Sequence, residues 1–248
     1  MTYKAEAPTK KSDQLGFRPK RFWKATAVVP SAGGFAVALD GRTVKTPSGA
    51  ELILPNAVLA GLVEAEWAAV GDHVDYETMP LTRFGFASVG RMGEVLDATI
   101  AEVLRYAETD LVCYPSEYPE ALIVRENAAW LPLLAWAETE LRLRFVQNHT
   151  LIHAPQPPET VARLRDLVPA MTQYQQAGLM AAIPLFGSVV LALALLNGRL
   201  SGDAAYNASR IGEDFQAETW GRDEEAAKRA GSHRVLAVSL DQWFRALA

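Results

Sequence analysis

The chain has 248 residues, 50% of them hydrophobic and 21% charged, which is enough to close a sizeable core in a soluble globular protein. Its formal net charge of -5 gives it no general attraction to nucleic acid. Cys113 is the only cysteine, which excludes an internal disulfide and a cysteine-based zinc cluster and fits a reducing compartment.

The first 24 residues hold five Lys and two Arg against Glu6 and Asp13, without an apolar centre, so they do not read as a secretory signal. They also lack the Arg- and Ser-rich, acid-free composition of a mitochondrial presequence. Residues 1–16 are expected to be disordered. The expected location is the cytoplasm of a bacterium, or the mitochondrial matrix in a eukaryote.

Residues 17–80 read as a small β-rich domain with one helix. In "FAVALDGRTVKTP" the alternation of Phe35, Val37 and Leu39 leads into Asp40-Gly41 and a second run from Thr43 to Thr46. Asp-Gly between such runs predicts a tight hairpin, because a primed turn needs two residues that tolerate positive φ. Gly33-Gly34 and Pro47-Ser48-Gly49 mark two further turns, giving three or four short antiparallel strands. From Ala57 the apolar period becomes helical, with Asn56 as cap and Gly71 as a stop.

Residues 81–248 read as a larger all-helical domain, with helices over 81–92, 94–110, 120–143, 158–173, 178–197, 201–219 and 223–246. Strands first and helices afterwards predict an α+β fold with two domains. Gly178 to Asn197 is uncharged and long enough to raise the question of a membrane span, but Pro184, Gly187 and Ser188 and the missing basic flank favour a buried central helix. No membrane insertion is expected. No glycine-rich phosphate loop is present, and no cofactor is expected.

The chemical constellations are weak. Ser88 in "GFASVG" stands three residues after Gly85, one too many for a nucleophile elbow, and lies in a helical pattern. Cys113, among Leu111, Val112 and Tyr114, reads as a buried structural thiol. His149 and His153 have helical metal-ligand spacing but run into prolines, so they read as ordinary loop histidines.

The stretch "IGEDFQAETWGRDEEAAKR", residues 211–229, is more informative. On one continuous helix Glu213, Gln216, Trp220 and Glu224 share a polar face, while Ala208, Ile211 and Phe215 face the core with Glu218 at its margin. Gly221 ends or bends the helix, and Asp223 reads as the cap of the next one. Helix capping and solvated charge account for Asp223, Glu224 and Glu225. They account less well for a Trp on a polar stripe, which suggests an anchor for a protein partner. The alternatives are an enzyme using paired carboxylates, for which no matching cation, phosphate loop or metal cluster is visible, or a generic protein-interaction module.

In order along the chain, "RFWKATAVV", "FAVALDGRTVKTPSGAELILP", "LVEAEWAAVGDHVDYETMPLTR", "DLVCYP", "WLPLLAWAE" and "EDFQAETWGRDEEA" resemble the assembly chaperones of the soluble catalytic sector of ATP synthase. The resemblance implies a non-enzymatic chaperone that binds the unassembled alpha subunit and shields its interface until the beta subunit replaces it. It also implies dependence on an acid in the C-terminal helical region, where the matching motif holds Glu213, Glu218, Asp223 and Glu224. Glu213, Gln216, Glu218, Trp220, Asp223 and Glu224 are therefore the expected partner-binding residues.

Overall fold

The computed structural model describes residues 18–90, 95–150, 153–221 and 224–248. The expected disorder of residues 1–16 and the capping role of Asp223 lie outside these residues, as do the ends of the two helices expected to meet near residue 93.

Four short strands form one antiparallel sheet: β1 (Thr26–Ser31), β2 (Gly34–Leu39), β3 (Arg42–Thr43) and β4 (Ile53–Leu54). Strand β2 is central, pairing with β1 along one edge and with β3 and then β4 along the other. The hairpin between β2 and β3 turns at Asp40 and Gly41, with φ of 47° and 80°, as the Asp-Gly signal predicts. The Asp40 carboxylate accepts hydrogen bonds from the Lys24 and Ala25 amides and ties the turn to the chain entering β1.

Helix α1 (Ala57–Ala68) packs across β1 and β2. Its cap is Asn56, whose Oδ1 accepts from the Leu59 amide at 2.9 Å. The same side chain donates through Nδ2 to the Ala246 carbonyl at 2.6 Å, joining the start of α1 to the last turn of the chain. Helix α1 ends at Ala68, short of Gly71.

The rest of the described chain is helical: α2 (Pro80–Gly90), α3 (Leu96–Glu108), α4 (Glu120–Leu141), α5 (Pro158–Ala170), α6 (Gln173–Phe186), α7 (Val189–Leu196), α8 (Gly202–Ser209), α9 (Ile211–Trp220) and α10 (Glu224–Leu247). A small antiparallel sheet followed by helices is the α+β arrangement the sequence predicts. Two of the expected helices are each two. The apolar stretch 178–197 breaks at Gly187, which adopts a left-handed φ of 63°, and the stretch 201–219 breaks at Arg210, between α8 and α9. No described helix is long and apolar enough to cross a membrane.

Helix α7 is the centre of the helical layer. Every residue from Val189 to Leu195 is buried, and α6, α8, α10 and α4 pack around it. An enclosed helix start leaves amides that water cannot reach, and each needs an acceptor. Ser188 supplies one, its Oγ accepting from Leu191 N–H at 3.0 Å. Asp110, fully buried on the segment after α3, supplies the rest: Oδ2 accepts from Val189 at 2.7 Å and Val190 at 3.1 Å, and Oδ1 from Val112 at 3.1 Å. Cys113 is sealed in the same region, where burial and the adjacent Asp110 carboxylate push its thiol well above its ordinary range.

Desolvation raises Asp110 from 3.8 to about 6, outweighing the amide bonds and the Ser188 hydroxyl that favour the anion. Between these two values the folded protein holds a proton that the unfolded chain has released. The group's contribution is therefore complete below the unfolded value and is lost as pH rises through about 6. Asp110→Asn cannot titrate. From pH 7 to pH 4 the unfolding free energy of the wild type should rise relative to this variant by on the order of 2–3 kcal/mol in urea melts; a constant difference would exclude the raised value.

Candidate functional site

Helix α9 differs from its neighbours in that none of its residues is buried. It leans on α4 through Phe215, over whose ring the Arg125 guanidinium sits at 5.1 Å, and through Glu218, which accepts from Arg125 at 2.8 Å. Glu218 is exposed and borders the Phe215 face of α9, in an ion pair with the same Arg125. Ala208, grouped with it on one continuous helix by the sequence, belongs to α8.

Glu213, Gln216 and Trp220 lie on the open side of α9, and Trp220 is 79% exposed. Together with Arg210, Asp214 and Ala217 they form one wall of a cleft of about 530 Å³. The opposite wall is the first half of α10, where Ala226, Ala227, Ala230 and Gly231 present little side chain, and Tyr206 and Asn207 of α8 line it as well. Arg210 is largely covered, its guanidinium paired with Glu213 and within 3.7 Å of Asp214 while lying over the Tyr206 ring at 5.6 Å. Arg234 of α10 reaches the cleft and pairs with Asp203 at 2.7 Å.

The stripe read from the sequence is thus brought together in part. Glu213, Gln216 and Trp220 share a face. Helix α9 stops at Gly221, whose φ is 90°, and Glu224 is the first residue of α10. Arg210, Asp214 and the small residues of α10 were not singled out in the sequence. The i, i+3 and i, i+4 spacing from Arg210 to Glu213 and Asp214 was readable there; the facing wall was not, since it depends on how the chain turns after Gly221.

The other candidates occupy ordinary structural places. Ser88 is buried and donates to the Phe84 carbonyl at 2.7 Å, one helical turn back. His153 meets the Tyr114 hydroxyl through Nδ1 at 3.0 Å, and His149 is exposed outside any helix. Among the described residues no three His, Cys, Asp or Glu side chains gather into a metal-binding group. Asp110, the carboxylate with the large upward shift, does not line the α9 cleft.

The mount of α10 on α8 is close. A Cβ on Gly202 would stand 2.3 Å from the Ala237 carbonyl oxygen, so the crossing admits only glycine there. Gly202→Ala should cost about 1–3 kcal/mol in thermal unfolding, whereas Trp220→Phe should stay within about 0.5 kcal/mol of wild type and remove the fluorescence most accessible to acrylamide.

Comparison with known proteins agrees with this architecture. The model of the ATP12 chaperone protein family matches residues 20–138. The mitochondrial protein atp12 of Schizosaccharomyces pombe is 26% identical over 219 residues, covering 84% of this chain and 75% of that protein. Mitochondrial ATP12 of Saccharomyces cerevisiae is 28% identical over 164 residues, 57% of this chain and 50% of that one. The crystal structure of Atp12 from Paracoccus denitrificans superposes with a TM-score of 0.84 at 36% identity, covering 92% of this chain and 97% of that chain. The same protein is known as an aspartate-to-lysine mutant, with equal similarity. With most of its length matched at this identity and with the sheet and helices in the same arrangement, the chain belongs to the ATP12 chaperone family.

Proposed function

We propose that the protein binds the unassembled alpha subunit of ATP synthase and covers its assembly interface until the beta subunit takes its place, without catalysing a reaction. Membership of the ATP12 family supports a role in ATP synthase assembly. The observation that carries the choice of site is Trp220, a large aromatic ring held in water on a helix that buries none of its own residues. Large aromatic side chains are the usual anchors of protein interfaces, and solvent-facing ones have no packing role at home.

The charges around Trp220 suit a reversible grip. Glu213 and Glu218 are both exposed and paired with arginines of their own chain. The Arg125–Glu218 pair is exposed on both sides and contributes about 0–1 kcal/mol, so a cation on the client can replace Arg125 at little cost, while the covered Arg210 keeps Asp214 beside it if Glu213 turns to the client. A subunit awaiting assembly presents a large apolar interface that aggregates unless covered. A cover that must later leave needs an orienting charge pattern and one anchor more than a large sealed contact. The same reading places the protein in the bacterial cytoplasm or the mitochondrial matrix, where the catalytic sector is assembled.

Co-expression with an isolated alpha subunit tests this. The wild type should keep the alpha subunit soluble. Trp220→Ala should weaken its capture about tenfold or more, and Glu213→Lys with Glu218→Lys should do likewise, with thermal stability near that of the wild type. Variants that capture the alpha subunit undiminished would remove α9 from the site; an alpha subunit left insoluble by the wild type would remove the client.

A further inference from the structure

A second concave surface lies beside the sheet and shares no residue with the α9 cleft. Its inner lining is the buried indoles of Trp23 and Trp67, whose ring centroids are 5.4 Å apart, together with Leu39, Val44 and Val74. Phe22 and Tyr76 extend the aromatic row outward, edge-on to Trp23 at 5.2 Å and to Trp67 at 6.2 Å. Phe22 is 65% exposed. A single exposed apolar side chain is ordinary; one that carries a row of aromatic rings, closed at its far end by Phe86 against Tyr76, into an open hollow is an unfinished cluster.

The hollow is about 340 Å³, at the small end of the roughly 300–1,000 Å³ span of ligand pockets. That suits one large side chain better than an extended ligand. Lys20, Arg42 and Lys45 also line it, all exposed and, among the described residues, in no ion pair. They come from two segments, Lys20 from the chain before β1 and the other two from β3 and its continuation. Of the acids nearby, Asp40 accepts from the Lys24 and Ala25 amides, and Asp75 pairs with Arg18 at 2.9 Å and accepts from the Glu77 amide; Glu51 faces Lys45 across a strand bridge and accepts from Ser31, and among the described residues no acid lines the hollow itself. In a protein of net charge -5 this rim is a local reversal of sign.

We infer that this hollow is a second protein-docking site, which takes a partner segment presenting one aromatic side chain flanked by carboxylates. The ring completes the edge-to-face row begun by Phe22, Trp23, Trp67 and Tyr76, an arrangement that adds to the gain from burial alone. The flanking carboxylates meet Lys20 on one segment and Arg42 and Lys45 on the other. A peptide satisfies both segments because its charges lie on either side of the anchoring residue. Such contacts speed and orient association and weaken as salt is added.

The probe is the peptide acetyl-Asp-Glu-Phe-Glu-Asp-amide, titrated into the full chain and followed by the indole N–H signals in two-dimensional NMR. Trp23 and Trp67 carry buried Nε1–H groups with no hydrogen-bond partner among the described residues, whereas Trp130 donates to the Ala208 carbonyl and Trp243 to that of Tyr174, which sets the two pairs apart. The Trp23 and Trp67 signals should shift saturably while those of Trp130 and Trp243 stay fixed. A peptide with Ala for Phe, or with Lys for the acids, should bind at least tenfold more weakly. So should the double variant Arg42→Glu, Lys45→Glu, whose exposed positions leave the core intact and whose unmoved Trp130 and Trp243 signals report the fold. No saturable shift, equal binding of the lysine peptide, or binding unaffected by the double variant would each overturn the proposal. Phenylacetate binding as tightly as the peptide would make this a small-anion site and overturn it as well.

Discussion

One carboxylate inside the protein holds its most enclosed helix in place. Helix α7 is apolar on every side, so it can be buried among α4, α6, α8 and α10, but its first amides are then cut off from water. An unmet buried amide costs about 1–3 kcal/mol. Asp110 meets two of those amides and one of its own segment, while Ser188 meets a third of α7. The positive end of the helix dipole favours acceptors at the same place. The segment after α3 is therefore fixed against α7, and the helices that carry the α9 cleft are built outward from that junction.

The same device recurs elsewhere in the fold. Glu66 of α1 accepts from the Leu81 and Thr82 amides and the Thr82 hydroxyl, capping α2 from another helix. Buried Glu126 of α4 accepts from the amide and hydroxyl of Ser116. A sequence rich in acids thus spends several of them on backbone amides within the fold, while those on α9 are left to the surface.

What could be read from the residues follows the range of the interaction involved. The Asp40-Gly41 hairpin, the Asn56 cap and the stop at Gly221 are local, decided within a few positions, and each has its own residue signature. Trp220 stood out because an aromatic ring on a polar stripe breaks a local pattern. The division at Gly187 was masked by unbroken hydrophobicity on both sides, and the division at Arg210 has neither Gly nor Pro to mark it. The service of Asp110 to α7 was hidden for another reason: its partners stand 79 and 80 residues away. The facing wall of the cleft was equally invisible, since small residues such as Ala226 and Gly231 acquire meaning only once α10 is set beside α9.

The bond from Asn56 to Ala246 joins residues 190 apart, and Trp243, fully buried in the last helix, stacks edge-on against Phe84 of α2. The sheet and first helix emerge early in synthesis, yet they meet these partners only once a segment 190 residues further on has been made. The early part of the nascent chain must wait for that segment, so a ribosome that stalls before it leaves the sheet and first helix without their closing contacts.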